Sequence, residues 1–253
     1  MFEKYRLKRK EELLRKLKVK NTPASIRGEE VLQRNFEELN SDIANFYLIL
    51  SEKLPNAVPN FLVRLSSLEI FVSRDAYEEH TGKYFSDDNI LVVYLPITGE
   101  YEISPEFRET LYHELLHMTS SYNSKDKKVS GFLNEVKTSF SKIQIGSLLN
   151  EGYTEILTKR YFKCTDNNYY SKEVLLATKI EEFIGREEME NAYFEGNLNY
   201  IIERFNSVGI DGLSFIKEIS SPMILVNDKY FNEVLNKIPK SKKDSVKKKQ
   251  LNK

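Results

Sequence analysis

The chain has no tryptophan, one cysteine and only three histidines in 253 residues. Cys164 has no second cysteine to pair with, so an intrachain disulfide is excluded and a reducing compartment, the cytoplasm, is expected. No run approaches the ~20 apolar residues that cross a bilayer, so no membrane span is expected. The opening stretch, MFEKYRLKRKEELLRKLKVK, lacks the apolar segment and small-residue cleavage site of a secretory signal. No internal repeat is visible. A formal excess of either charge is missing too, with 38 basic and 38 acidic residues.

The charge is nevertheless unevenly placed. Residues 1–20 carry a net +6 and residues 237–253 a net +7, which leaves −13 on the stretch between. Basic ends on an acidic body read first as solvated termini. Contact with nucleic acid or an anionic surface is the alternative, and neither end has the interleaved aromatics that nucleic-acid binding favours.

What the chain does have suits a globular protein: 40% hydrophobic residues, 30% charged, and 15 Tyr with 15 Phe as aromatic core material. Leu32, Phe36, Leu39, Ile43, Phe46 and Leu50 recur at helical spacing until Pro55. Leu68–Val72 and Ile90–Leu95 read as strands. Ser104, Pro105 and Glu106 form a helix start, with Ser104 as N-cap. Residues 120–130 are polar and read as a loop, and VSGFLNEVKTSFSKIQIGS as a β-ribbon. From Leu148 onward the patterns are mostly helical. The expected fold is α+β: a small mixed sheet with an active-site helix, followed by a mainly helical C-terminal subdomain. The expected organisation is a basic helical leader (1–20), an N-terminal α/β subdomain (21–125), a mainly helical subdomain (126–236) and a basic tail (237–253).

Two of the three histidines stand in TLYHELLHMTS, residues 110–120. On a helix His113 and His117 lie about 40° apart on one face. Phe107, Leu111, Leu115 and Met118 cluster on the far side, so the histidines are expected to face a cleft. Two imidazoles one turn apart can hold one Zn2+ ion, and Glu114 beside them can accept a proton from the water the metal activates. A third ligand is needed. His80 sits in a polar stretch, YEEHTGKYF, and reads as a surface residue. Cys164 has no supporting cysteine. LLNEGYTEILTKRYF places Glu151 and Glu155 four apart on one helical face. Either an exposed acidic face or a ligand beside a second carboxylate is consistent with that spacing. In the second case a site of two histidines and one glutamate leaves a coordination position for water, and the second glutamate can receive a ligand imidazole's N–H.

His113-Glu114-Leu115-Leu116-His117 followed by Asn150-Glu151-Gly152-Tyr153-Thr154-Glu155 resembles the gluzincin clan of zinc metallopeptidases, of which thermolysin is the familiar member. The resemblance covers residues 65–160 and is specific in the two motifs. The form N-E-G-x-T-E is similar to that of poorly characterised bacterial gluzincin-like proteins. The resemblance implies a zincin-like fold and one zinc per chain. It assigns His113, His117 and Glu151 as ligands, Glu114 as general base and Glu155 as the acid orienting a ligand histidine. It also implies that NILVVYLP, the strand before the active helix, holds the substrate backbone. The metzincin pattern is excluded, because Asn123 stands where its last histidine would be. The clan's oxyanion stabiliser has no motif match here. No histidine follows His117, so a tyrosine or a cation must serve; Tyr193 is the first candidate, with Arg186 behind it, and the competing reading of Tyr193 is a core aromatic next to Phe194.

The expected function is therefore zinc-dependent hydrolysis of a peptide or protein substrate. A catalytically weak binding or regulatory protein built on the same fold is the rival. Retention of Glu114 argues against it, since a structural zinc site has no need of a general base.

Overall fold

The computed structural model describes residues 33–73, 82–94, 105–123, 127–137, 142–162 and 170–240. The basic leader 1–20, most of the basic tail, Ser104, His80 and Cys164 lie outside the described residues. The architecture is mixed α+β, mostly helical with two small sheets. The chain divides into two compact units. One runs to Thr119 and takes in Leu157–Asn167; the other holds Ser120–Ile156 and Asn168 onward. Among the described residues, no helix is long and apolar enough to cross a membrane.

The first unit begins with α1 (Gln33–Lys53), which stops as expected before Pro55. A single 3-10 turn, Pro55–Ala57, leads into α2 (Val58–Leu65). Three strands follow: β1 (Glu69–Ser73), β2 (Gly82–Phe85) and β3 (Ile90–Tyr94). Their spatial order is β1-β3-β2, with β1 parallel and β2 antiparallel to β3. This corrects the expectation for NILVVYLP. That segment is the central strand, paired on both sides, and has no free edge along which to receive a peptide backbone. The outer position belongs to β2, whose short, polar-looking GKYF gave little strand signal. The turn between β2 and β3 is fixed by Asn89, which adopts φ 54°. Its side-chain amide donates to the Arg64 carbonyl and to Ser67 Oγ, and its Oδ1 accepts from the Tyr84 hydroxyl.

Helix α3 (Pro105–Thr119) lies on this sheet and against α1 and α2. Phe46 and Phe162 stack at 4.7 Å between ring centres, with Phe61 and Tyr112 tilted around them. Buried aromatic pairs of this kind add about 0.5–1.5 kcal/mol beyond the area they cover. Arg108 donates to the buried Asp42 carboxylate at 2.8 Å and ties α3 to α1. The Asn60 amide donates to the Thr119 carbonyl, satisfying an acceptor that the helix end leaves open.

The second unit opens with an antiparallel meander of β4 (Ser121–Asn123), β5 (Lys127–Ser130), β6 (Leu133–Lys137) and β7 (Lys142–Ile145). The expected ribbon is present. The described part of the stretch expected as a loop, 120–130, is largely strand: β4 and all of β5 fall in it, because neighbouring strands supply the hydrogen bonds that its polar composition does not advertise. Helix α4 (Ser147–Phe162) follows, passing from the second unit to the first after Ile156. Then come α5 (Ser171–Ile184), α6 (Arg186–Phe194), α7 (Leu198–Asn206), α8 (Gly212–Ile219), α9 (Met223–Val226) and α10 (Asp228–Lys237). Side chains of Asn197, Asp211 and Asn227 accept the backbone N–H of Tyr200, Ser214 and Tyr230, capping α7, α8 and α10.

Candidate metal centre

Helix α3 starts as its sequence predicts, with Pro105 at the first position and Glu106 in the first turn. Phe107, Leu111, Leu115 and Met118 are core residues, again as expected. The other faces differ from expectation. Tyr112, Leu116 and Thr119 are buried too, and His113, Glu114 and His117 are only 5%, 8% and 8% exposed. The helix is covered all round rather than along one stripe, because a sheet and two helices pack on it. Burying an imidazole or a carboxylate is costly unless partners replace water, so three such groups in five residues call for a shared purpose.

The His113 and His117 rings stand 4.8 Å apart between centres at 70°. Their Nε2 atoms are 3.0 Å apart. One can donate to the other only if one ring keeps its proton on Nε2 and the other does not. Two nitrogens bound to one tetrahedral ion at 2.0–2.1 Å would stand roughly 3.3 Å apart, close to what is seen. Glu151 joins them: one ligand atom from each of His113, His117 and Glu151 lies within 4.8 Å of the others. Two imidazole nitrogens and a carboxylate oxygen make a donor set suited to zinc, so the residues present fit the ion.

Glu114 occupies the position after His113. Gly82, the first residue of β2, packs onto the same helix face as Thr110 and Glu114. A Cβ at residue 82 would stand 2.4 Å from Thr110 Cγ2 and 3.1 Å from Glu114 Cγ. Only glycine lets the strand approach that closely, and the outer strand of the sheet therefore begins beside Glu114.

Glu151 is partly exposed and Glu155 is buried one turn later. Asn150 Oδ1 accepts the Phe132 N–H at 3.0 Å, in the turn between β5 and β6. At Gly152 a Cβ would stand 2.1 Å from the Glu173 carbonyl oxygen, so glycine permits the first turn of α5 to lie against α4. Burial raises the Glu173 carboxyl above its ordinary range, and the charge of nearby Glu151 adds to the rise. Thr154 Oγ1 donates to the Asn150 carbonyl at 2.8 Å and lies 2.7 Å from the Tyr193 hydroxyl.

Tyr193, the expected oxyanion stabiliser, is a core residue. It has no exposed surface, and its ring packs among Phe132, Tyr153 and Phe194. A phenol enclosed in this way, with its hydroxyl on Thr154, does not meet a substrate. Arg186 sits at the exposed start of α6, where its Nε donates to Glu190 at 2.9 Å. Reasoning from sequence missed the parts played by Asn150, Gly152 and Thr154. The available signal was their i, i+4 placement around Glu151, which puts Asn150 and Thr154 on one helix face.

No family model, curated protein or solved structure matches the chain.

Proposed function

We propose that the protein is a zinc-dependent metallopeptidase of gluzincin type with a zincin-like fold. The observation that carries this reading is the convergence of His113, His117 and Glu151 on one point, with a carboxylate, Glu114, in the next position of the helix. A site that only stabilised a fold would have no use for that fourth group. The three residues would hold one ion per chain. When bound, the ion supplies Lewis acidity toward a substrate carbonyl and brings the pKa of its water toward about 7.

The chain's own groups do the rest. Glu114 takes a proton from the attacking water on a carboxylate oxygen and returns it to the leaving amine nitrogen. Glu155, buried one turn beyond Glu151, is the residue we assign to orient a ligand imidazole, in the tautomer that leaves its other nitrogen free for the ion. The outer strand β2 supports a peptide substrate. Among the described residues its far side pairs with no other strand, and it starts against Glu114, so an extended chain added there would pass the base. The test is zinc content of the purified protein together with hydrolysis of an unstructured protein such as casein. About one zinc per chain and cleavage abolished by chelation are expected; zinc-free protein after metal-replete purification would overturn the reading.

A further inference from the structure

The Tyr193–Thr154 pair has more to say about Glu151. Thr154 has a single hydroxyl proton, and it is donated to the Asn150 carbonyl. In the contact between Thr154 and Tyr193 the phenol must therefore be the donor. A directed chain results, from Tyr193 O–H to Thr154 Oγ1–H to the Asn150 carbonyl. That carbonyl belongs to the peptide group joining Asn150 to Glu151. The same residue is gripped from a second direction, where Asn150 Oδ1 accepts the Phe132 N–H. Gly131 closes the arrangement. It adopts φ +55°, and a Cβ on it would strike both the Tyr193 ring, at 2.3 Å, and Asn150 Oδ1, at 2.4 Å.

We propose that the Tyr193 hydroxyl is a positioning group for the metal centre, which acts through Thr154 to fix the Asn150–Glu151 peptide and so the third ligand. The proposal rests on the reading of Glu151 as a ligand. The two anchors, Phe132 and Tyr193, lie 18 and 39 residues from the helix residues they grip, and both are buried. Helix α4 on its own would keep the Thr154 bond to Asn150, as helical threonines commonly do. Only the phenol, carried on α6, makes that bond part of the tertiary structure. A buried hydrogen-bond chain is lost as a unit when one member is removed.

The experiment compares wild type with Tyr193→Phe, Thr154→Val, Thr154→Ser and the double variant Tyr193→Phe/Thr154→Val. Zinc affinity is measured by competition with a chromogenic chelator, well below the unfolding temperature of each apoprotein, and the visible spectrum of the Co2+-loaded protein is recorded. Tyr193→Phe and Thr154→Val should each weaken zinc binding by about 10-fold or more, the scale found when groups that orient metal ligands are removed. The Co2+ bands should shift in both. Thr154→Ser keeps the hydroxyl and should restore affinity, and the double variant should be no worse than the weaker single one. A purely structural role would lower the unfolding temperature and leave affinity and spectrum unchanged, and that result overturns the proposal. So does a Thr154→Ser protein as weak as Thr154→Val. If wild type takes up no zinc, the metal reading and this proposal fall together. If wild type binds and Glu151→Ala does not, while Tyr193→Phe matches wild type, only the proposal falls.

Discussion

Helix α3, with His113 and His117, is held mainly by apolar contacts: Phe107, Leu111, Leu115 and Met118 fill the core and Tyr112 leans on Phe46 and Phe162, with Arg108 on Asp42 and Asn60 on the Thr119 carbonyl as its hydrogen-bonded ties. Helix α4, with Glu151, buries Leu149, Tyr153 and Leu157 too, but it also buries Asn150, Thr154, Glu155 and Thr158, and around Glu151 it is held by directed hydrogen bonds. Both are almost enclosed, but they are specified differently. Apolar packing fixes a helix through many weak contacts and tolerates changes that conserve volume. A hydrogen-bonded grip fixes individual atoms and is lost when one of them goes. The two-histidine end of the centre should therefore be the robust end, and the glutamate end the sensitive one.

The bluntest way to break that comparison is to remove the ligands. His117→Ala and Glu151→Ala should both lose stoichiometric zinc, since either leaves the ion with two protein donors. Elemental analysis after dialysis reads this directly. Retention of a full equivalent by Glu151→Ala would move the third ligand elsewhere. Glu114→Gln should keep its zinc and its fold while peptide hydrolysis falls ~10²–10⁴-fold, because an amide cannot take the proton. A wild-type rate in that variant would remove Glu114 from the chemistry.

How much of this was legible in the sequence follows the same division. The histidine helix could be read because its signal is local: one turn separates the ligands, and a proline marks the start. Glu151 could be picked out as the residue whose carboxylate comes within 4.8 Å of the two imidazoles, because its motif follows closely in sequence. Asn150 and Thr154 could not be given parts, because their partners sit in the β5–β6 turn and on α6, and no spacing rule reaches that far. The sheet shows the same limit. Strands at Leu68–Val72 and Ile90–Leu95 were expected, but β2 lies between them in sequence and outside β3 in space, so the strand expected to hold a substrate backbone is the central one. Tyr193 is the core aromatic beside Phe194 that its sequence also allowed, and composition alone does not say whether a phenol faces a substrate or closes a core.

Smaller substitutions sharpen the contrast. Glu155→Ala should reduce zinc affinity or activity about 10–100-fold, less than Glu151→Ala, since it acts by orienting a ligand. Equal zinc loss in the two would mean their roles are reversed or shared. Gly152→Ala tests the glutamate end without touching a polar group. Its Cβ would meet the Glu173 backbone, which cannot turn away, so α4 and α5 must part. A stability loss of about 1–3 kcal/mol is expected from such overpacking, with weaker zinc binding. Chemical denaturation and chelator competition on the same samples would show whether the two losses travel together.

The smallest effect belongs to the apolar end, where Tyr84 is a polar exception. Its hydroxyl donates to Asn89 Oδ1 at 2.8 Å and helps hold the β2–β3 turn. Burial pushes the phenol up from 10.0 to about 12, with Arg64 opposing part of the rise. A folded-state pKa above the unfolded one means that the native state favours the protonated phenol. The associated stability is complete below about pH 10 and is lost as pH rises through about 12. Denaturant midpoints of wild type and Tyr84→Phe, measured from pH 8 upward, should therefore differ by a constant amount until about pH 10 and converge above it. Parallel curves across the whole range would show that the phenol titrates alike in the folded and unfolded chain. The β2–β3 turn, at the end of β2 away from Gly82 and Glu114, would then draw no stability from keeping that phenol protonated.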